Sequence, residues 1–297
     1  MNPTLDTLNA TFALPGTLQF VDVAPGLPVA EISTPLASAR IALQGGQVLN
    51  WQPADHRPVL WVSKAAVFES GKPVRGGVPV CWPWFGAVPG KTMHGFARTR
   101  MWQVRSSGLG DAGQVVLRLG LSDDADTRAL WDHAFDLELV VTVGAQLTLA
   151  LTTRNTGTTP FEITQALHTY FCTGDIAQTR VQGLDDCSYL DKVQGMARCQ
   201  QSGAVTFQGE TDRVYIDTTA DCLIEDPAWG RTLRVAKAGS ASTVVWNPWS
   251  DKEKTMADMA TGDYQQMLCV ETCNAGPDAV TLAAGQAHAL VATLSVV

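Results

Sequence analysis

Short stretches in which apolar and polar residues alternate make up most of this 297-residue chain. The clearest are 135–143 and 146–154, where the alternation is strict and only two residues separate the segments. Successive side chains of a strand point to opposite faces, so this pattern predicts half-buried strands. Similar stretches occur at 17–23, 28–33, 39–44, 48–52, 59–63, 101–107, 114–122, 161–174, 213–219, 222–227, 231–238, 242–248, 264–274, 279–285 and 287–297. Roughly twenty short strands and few helices predict an all-β fold, a large antiparallel β-sandwich.

Only two stretches favour short helices. Residues 124–132 offer Asp124 or Asp126 as an N-cap, and a second helix is predicted within 251–259. Because no repeat, low-complexity tract or composition shift marks a linker, we expect residues 1–297 to form a single domain. We expect a loose N-terminal segment over 1–16.

Net charge, hydropathy and cysteine content argue against several classes of partner and site. A formal net charge of −8 argues against nucleic acid. No apolar run of about 20 residues is present, and the N-terminus lacks a basic region followed by an apolar core. We therefore expect a cytoplasmic protein with no membrane partner. We also expect a monomer.

Seven cysteines, with only Cys269 and Cys273 closely spaced, indicate reduced thiols and no metal site.

Residues 71–100 concentrate arginine, histidine, glycine and aromatic side chains. Arg75 precedes Gly76-Gly77, where a ligand can approach the backbone closely, and Arg98 ends the sequence HGFAR. Guanidinium groups match phosphate oxygens bidentately, so the stretch is typical of a site for a small phosphorylated ligand. The structural alternative is a turn-rich connection between strands. An apolar wall of the site could be supplied by Trp82, Trp84 and Phe85.

Two ionisable residues lie in strongly apolar segments: His168 in QALHTYF and Glu271 in MLCVETCNAG. A histidine in such a segment is usually structural. Here Ala166 and Tyr170 share its face by alternation, so His168 could also point into a cleft with an aromatic wall. Burying a carboxylate costs several kcal/mol unless it has partners or a function. Glu271 is therefore either a surface residue just past the buried part of its strand or part of a functional site.

The motifs KPVRGGVPVCWPWFG and HGFAR resemble the hexose-6-phosphate mutarotases, the glucose-6-phosphate 1-epimerase branch of the aldose 1-epimerase superfamily. The segment VVWNPWSDKEKTMADM and the segments around His168 and Glu271 extend the resemblance over residues 20–295. The resemblance implies a galactose-mutarotase-like sandwich that interconverts the α and β anomers of a hexose 6-phosphate, with glucose 6-phosphate as the expected substrate. No metal or cofactor is implied. The family often has glutamine before the HG pair, where this chain has Met93.

By the same resemblance, His168 is the general acid and Glu271 the general base. The base takes the proton of the anomeric hydroxyl while the acid protonates the ring oxygen. The ring opens to the aldehyde, the C1–C2 bond rotates, and reclosure on the other face reverses both transfers. We expect the two groups to lie on opposite sides of the C1–O5 bond.

The remaining site residues are assigned to binding. Arg75 and Arg98 are expected to hold the phosphate, while the resemblance assigns sugar contacts to His94 and Asp212, with Asp217 as the alternative to Asp212. Two other functions stay open: a non-catalytic sugar-phosphate binding or sensor protein on the same fold, and a mutarotase for unphosphorylated aldoses. Turnover separates the first from an enzyme, and comparison of glucose with its 6-phosphate separates the second.

Overall fold

A computed structural model describes residues 4–297. Strands β1 to β11 span Leu18–Ala24, Leu27–Ser33, Ala37–Ala42, Gln47–Pro53, Val80–Cys81, Gln103–Leu109, Val115–Ser122, Phe135–Val143, Leu147–Asn155, Phe161–Ile163 and Gln165–Leu167. Strands β12 to β22 span Tyr170–Cys172, Arg180–Gln182, Ser188–Asp191, Ala197–Gln200, Thr211–Tyr215, Cys222–Asp226, Arg231–Ala238, Ser242–Asn247, Met267–Asn274, Val280–Leu282 and Ala287–Val296. Helices α1, α2 and α3 span Leu5–Phe12, Ala125–Leu130 and Trp249–Glu253. Short 3₁₀ helices span Ala97–Thr99, Asp263–Gln266 and Gly276–Asp278.

Two large antiparallel sheets form the body of the described chain. One has the order β13-β17-β18-β22-β9-β8-β7-β6, and the other β15-β14-β16-β19-β20-β11-β5, with β12 also paired to β20. A four-stranded sheet (β1 to β4) and the pair β10-β21 complete the arrangement. Side chains of both large sheets join one buried core, among them Leu149 of β9, Leu294 of β22 and Val270 of β20. The predicted antiparallel sandwich is confirmed.

The strictly alternating segments behave as their pattern predicts. Strands β8 and β9 pair antiparallel, and every second residue of each is buried. Leu147, Leu149 and Leu151 are fully buried, while Thr148 and Ala150 between them stay half-buried. Each buried leucine contributes roughly 1.5–3 kcal/mol relative to an exposed one, which fixes the register of the hairpin.

The expected loose segment at the N-terminus is wrong for residues 5–12, which form α1. The Thr4 hydroxyl accepts a hydrogen bond from the Thr7 N–H, and Leu8 is buried in the core. The Asn9 side chain exchanges two hydrogen bonds of 2.8 Å with the backbone of Phe20. Leu5, Leu8 and Phe12 have helical spacing and pack toward the core, but a helix of 8 residues is too short to be stable alone, so these contacts with β1 help to hold it. Residues 1–3 lie outside the described part of the chain.

The two predicted helices are present with different bounds. Asp124 caps α2 by accepting a hydrogen bond of 2.7 Å from the Thr127 N–H. Helix α3 begins before the predicted range 251–259 and ends at Glu253. No helix within residues 4–297 combines the length and the apolar character needed to cross a membrane.

The glycine pair after Arg75 serves the fold rather than a ligand. Gly76 and Gly77 both have positive φ, at 119° and 62°. A Cβ on Gly76 would overlap the carbonyl oxygen of Trp61, and one on Gly77 would overlap that of Val48. The close approach expected for a ligand is therefore taken by the chain's own backbone, which fixes the segment that carries Arg75.

This packing predicts a large loss of stability for Gly77→Ala. Gly71 is the matched control, since its φ of 76° is also left-handed but nothing lies within 4 Å of an added Cβ. Gly71→Ala should lower the free energy of unfolding by about 1 kcal/mol through backbone strain alone. Gly77→Ala should lower it by at least about 3 kcal/mol because strain and steric overlap add. Equal losses for the two variants in urea denaturation would contradict the assignment.

Candidate functional site

Strand β20 is buried along its whole length, in contrast to the half-buried β8 and β9. Its alternate residues Leu268 and Val270 join the core between the large sheets. Cys269, Glu271 and Cys273 therefore point to the other face of the sheet. We call this the site face. Glu271 is only 1% exposed, so the alternative of a surface position is wrong.

The strand register brings polar and aromatic side chains together on the site face. Asp212 of β16 lies opposite Trp246 of β19, and Trp246 lies opposite Cys269 of β20. Cys269 in turn lies opposite Tyr170 of β12. Glu271 is two residues from Cys269 and therefore points to the same face. These side chains form a row across four strands, and the buried carboxylate of Glu271 lies beside it.

His168 lies in the break between β11 and β12 rather than in a continuous strand. Its ring stacks on Tyr170 with 4.8 Å between centroids, which confirms the predicted aromatic neighbour, and the rings of His94 and Trp246 stand nearly perpendicular at 5.6 and 6.0 Å. Nε2 of His168 lies 3.4 Å from Oε1 of Glu271. A pyranose ring does not fit into that gap. The expected placement of the two groups on opposite sides of the C1–O5 bond is therefore wrong, and both must approach a sugar from one side.

His94 presents a neutral hydrogen-bond donor. Its Nδ1 accepts a hydrogen bond of 3.1 Å from the Gly86 N–H, so the neutral ring carries its proton on Nε2. Burial, together with the charges of Arg98, Lys192 and Arg75, lowers the pKa of His94 to about 3. An uncharged N–H donor of this kind suits a sugar hydroxyl.

Arg75 is oriented by its neighbours. Its Nε and Nη2 donate to the two carboxylate oxygens of Asp258 at 3.1 and 3.2 Å, and Nη1 donates to the Tyr170 hydroxyl at 2.8 Å. A guanidinium has five N–H groups, so donors remain for a ligand, and the side chain is 22% exposed. Arg98 donates through Nη2 to the Met93 carbonyl at 2.8 Å, while its buried Nε has no partner.

Lys192 is a site residue that the sequence did not reveal. Its Nζ lies 2.8 Å from Oδ2 of Asp212, and its backbone N–H donates to the Asp212 carbonyl at 2.9 Å. This contact depends on the pairing of β14 with β16, for which the sequence between 175 and 212 gave no periodic signal. Asp217 lies exposed past the end of β16, so the geometry favours Asp212 of the two aspartates.

Only one of the three expected aromatic wall residues reaches the site. The Phe85 ring lies 5.1 Å from the His94 ring. Trp82 is fully buried in the core, where its Nε1 donates to the Thr153 hydroxyl at 3.0 Å. Trp84 is 8% exposed and packs into the same core. A segment this rich in glycine and proline has no regular periodicity, so the sequence could not show which of these side chains face the core.

Several buried polar atoms on the site face have no hydrogen-bond partner in the protein. They are His168 Nδ1, Glu271 Oε2, Asp212 Oδ1 and Arg98 Nε. Leaving a buried polar group unpaired costs about 1–3 kcal/mol, so such atoms are normally satisfied. Their concentration in one place indicates a site where a ligand supplies the missing partners.

Burial shifts the pKa values of Glu271 and His168 in opposite directions. It raises the pKa of Glu271 well above its usual value, although the charge of Lys192 opposes the shift. It lowers the pKa of His168 well below its usual value, and Arg75 and Arg98 lower it further. The ligand-free pair therefore favours its two neutral forms, with one proton held by Glu271.

The cysteines are free thiols, as predicted. Cys269 belongs with His168 and Glu271 to a group, found among residues 4–297, whose ligand atoms all lie within 4.8 Å of one another. These three residue types can hold a divalent metal ion. Proton transfer between sugar oxygens requires no such ion.

Comparison with known proteins shows the family to which the chain belongs. The family model described as aldose 1-epimerase matches residues 28–295. A relative from Escherichia coli (strain K12), named "Putative glucose-6-phosphate 1-epimerase", is 38% identical over 252 residues, which is 84% of this chain and 84% of the relative. A relative of the same name from Cenchrus ciliaris is 37% identical over 242 residues, which is 78% of this chain and 74% of the relative.

The fold is also similar to a crystal structure from Salmonella typhimurium that is described as a "putative mutarotase". The two chains superpose with a TM-score of 0.89 at 34% identity, over 96% of this chain and 95% of the other. The family match spans nearly the whole sandwich, including every strand that contributes to the site face. With fold, motifs and relatives in agreement, this chain belongs to the aldose 1-epimerase family.

Proposed function

We propose that the protein interconverts the α and β anomers of a hexose 6-phosphate, with glucose 6-phosphate as the first candidate. The proposal rests on the 3.4 Å contact between His168 Nε2 and Glu271 Oε1. The anomeric oxygen and the ring oxygen are both bonded to C1, so the two groups that exchange protons with them must lie side by side. Relatives named as glucose-6-phosphate 1-epimerases support the choice of substrate.

Ring opening moves two protons in opposite directions. The Glu271 carboxylate takes the proton of the anomeric hydroxyl, and the His168 imidazolium gives a proton to O5 as the C1–O5 bond breaks. The open-chain aldehyde rotates about C1–C2 and turns its other face toward O5. Attack of the O5 hydroxyl on C1 then returns one proton to His168 and takes one from Glu271, so the pair ends as it began.

The shared proton makes this cycle possible in a buried site. In the ligand-free protein, burial raises the pKa of Glu271 and lowers that of His168, which favours a pair of neutral groups that together hold one proton. Transfer of that proton to His168 creates the working pair without exchange with bulk water. Because the two groups interact directly, the proton belongs to the pair rather than to either residue.

The surrounding side chains are proposed to orient the sugar. His94 donates from Nε2 to a hydroxyl, and the unpaired Oδ1 of Asp212 accepts from another. Arg75 and Arg98 bind the phosphate, with Asp258 holding Arg75 in position. All of these groups belong to one chain, so we propose that a monomer is sufficient for activity.

Saturation-transfer NMR on glucose 6-phosphate tests the proposal. The wild type should speed exchange between the anomers, and His168→Asn or Glu271→Gln should each lower kcat by about 10²–10⁴-fold because each removes one proton-transfer group. Asp217→Asn is the control, since that residue lies exposed past β16 and should leave the rate unchanged. A wild type that leaves the spontaneous rate unaltered would contradict the proposal and favour a sugar-phosphate binding protein.

The same measurement with glucose separates the two enzymatic alternatives. Arg98→Gln removes a charge with an unpaired N–H, so KM for glucose 6-phosphate should rise about 10- to 100-fold while KM for glucose stays unchanged. A wild type with equal kcat/KM for both sugars would favour a mutarotase for unphosphorylated aldoses.

The protonation states predict an unusual histidine titration. Because the pKa values of His94 and His168 both lie below 6.5 in the folded protein, both rings should stay neutral as the pH falls from 8 to 5. Ring ¹H–¹⁵N correlation spectra report this directly, with signals assigned by His94→Gln and His168→Asn. A midpoint near 6.5 for either ring would show that the site does not exclude charge in this way.

A further inference from the structure

Cys269 takes no part in the proposed reaction, yet its side chain lies on the site face between Tyr170 and Trp246. It is fully buried, and its sulfur lies within 4.8 Å of a ring nitrogen of His168 and a carboxylate oxygen of Glu271. A thiol, an imidazole and a carboxylate are the ligand types that zinc and related thiophilic cations prefer. This combination is not needed for moving protons between sugar oxygens.

We propose that His168, Cys269 and Glu271 form a binding site for a thiophilic divalent cation of the zinc class, and that its occupation reversibly inhibits the protein. The inference goes beyond the proposed function, and binding of the cation does not depend on that function. The ion is an inhibitor here rather than a cofactor, since it binds the two groups that carry the protons.

The distances suit a tetrahedral ion with small side-chain movements. With metal–ligand bonds of about 2.0–2.3 Å, tetrahedral ligand atoms lie roughly 3.3–3.6 Å apart. The 3.4 Å between His168 Nε2 and Glu271 Oε1 already matches this separation. The wider separations in the group, up to 4.8 Å, close with a shift of the Cys269 side chain on the order of 1 Å.

Burial and charge balance also favour a bound cation. Glu271 is 1% exposed and His168 8%, so a cation bound to Oε1 and Nε2 would be shielded from water on the side of these two ligands. Binding of the cation releases the thiol proton of Cys269 and the carboxyl proton of Glu271 to solvent. The resulting thiolate and carboxylate neutralise a divalent ion, and the imidazole adds no charge. The resulting centre is neutral, so Arg75 and Arg98 neither repel nor attract it as a whole. Three protein ligands leave one coordination position for water.

Inhibition follows from the identity of the ligands. Coordination occupies the lone pair of His168 and the carboxylate of Glu271, so neither can exchange a proton with the sugar. The cation and a sugar at this pair therefore exclude each other, and inhibition should be competitive with substrate.

Cobalt(II) gives a readout that is independent of activity, because a thiolate ligand produces an intense near-ultraviolet charge-transfer band. The wild type should bind cobalt with this band, and Cys269→Ser should lose it. Cys222→Ala, which removes a buried thiol from β17 of the other large sheet, should keep it. A wild type without the band, or a band that persists in Cys269→Ser, would overturn the proposed site.

Inhibition is then measured on anomer exchange at a fixed concentration of glucose 6-phosphate. Zinc should slow the wild type and EDTA should restore it, while Cys269→Ala keeps its activity and needs at least about tenfold more zinc. Equal sensitivity of the two proteins would overturn the inhibitory role.

Circular dichroism checks that Cys269→Ala is folded, and Cys269→Ser replaces it if it is not. If the wild type shows no turnover, the cobalt titration still decides the site, so this failure and that of the proposed function are distinguishable.

Discussion

A carboxylic acid enclosed in a strand that is buried on both faces is the constraint on which the site depends. Desolvation of Glu271 favours its neutral form, and desolvation of His168 favours the neutral imidazole 3.4 Å away. In water near neutral pH the glutamate would be ionised and the histidine would be partly protonated. Burial thus favours a pair of neutral groups that together hold one proton. A pair of this kind suits a reaction in which one group gives a proton to the sugar while the other accepts one.

Most of the positive charge around His168 and Glu271 is balanced by neighbouring carboxylates. Arg75 is paired with Asp258, and Lys192 with Asp212, so two of the site cations carry their own counterions. Arg98 has no carboxylate partner among the described ion pairs of the chain. A protein of net charge −8 can therefore present a local anion site without a broad positive surface. The pairing of Arg75 also fixes a guanidinium plane in advance, which lowers the entropy lost when a ligand binds.

Much of the architecture could be predicted from local pattern, because alternation at period two directly encodes which face is buried. That logic identified β8 and β9, and it explains why the fully apolar run before Glu271 becomes a strand buried on both faces. It did not predict α1, a short helix that depends on tertiary contacts with β1. It also failed for the glycines after Arg75, because a sequence does not show whether a ligand or another strand fills the space beside them.

The site could be predicted in part, since buried ionisable residues and clustered arginines are visible in a sequence. What could not be seen depends on strand pairing. Lys192 meets Asp212 across β14 and β16, and the pairing of β12 with β20 brings His168 to Glu271 and Cys269. The proposed function requires one sugar phosphate to bridge the pair of His168 and Glu271 and the two arginines. A crystal structure with 1,5-anhydroglucitol 6-phosphate, which lacks the reacting hydroxyl, tests this most directly. The ring oxygen should lie within about 3.2 Å of His168 Nε2, with the phosphate on Arg75 and Arg98. A sugar bound away from His168 and Glu271, or a phosphate bound at them, would show that the proposed arrangement is wrong.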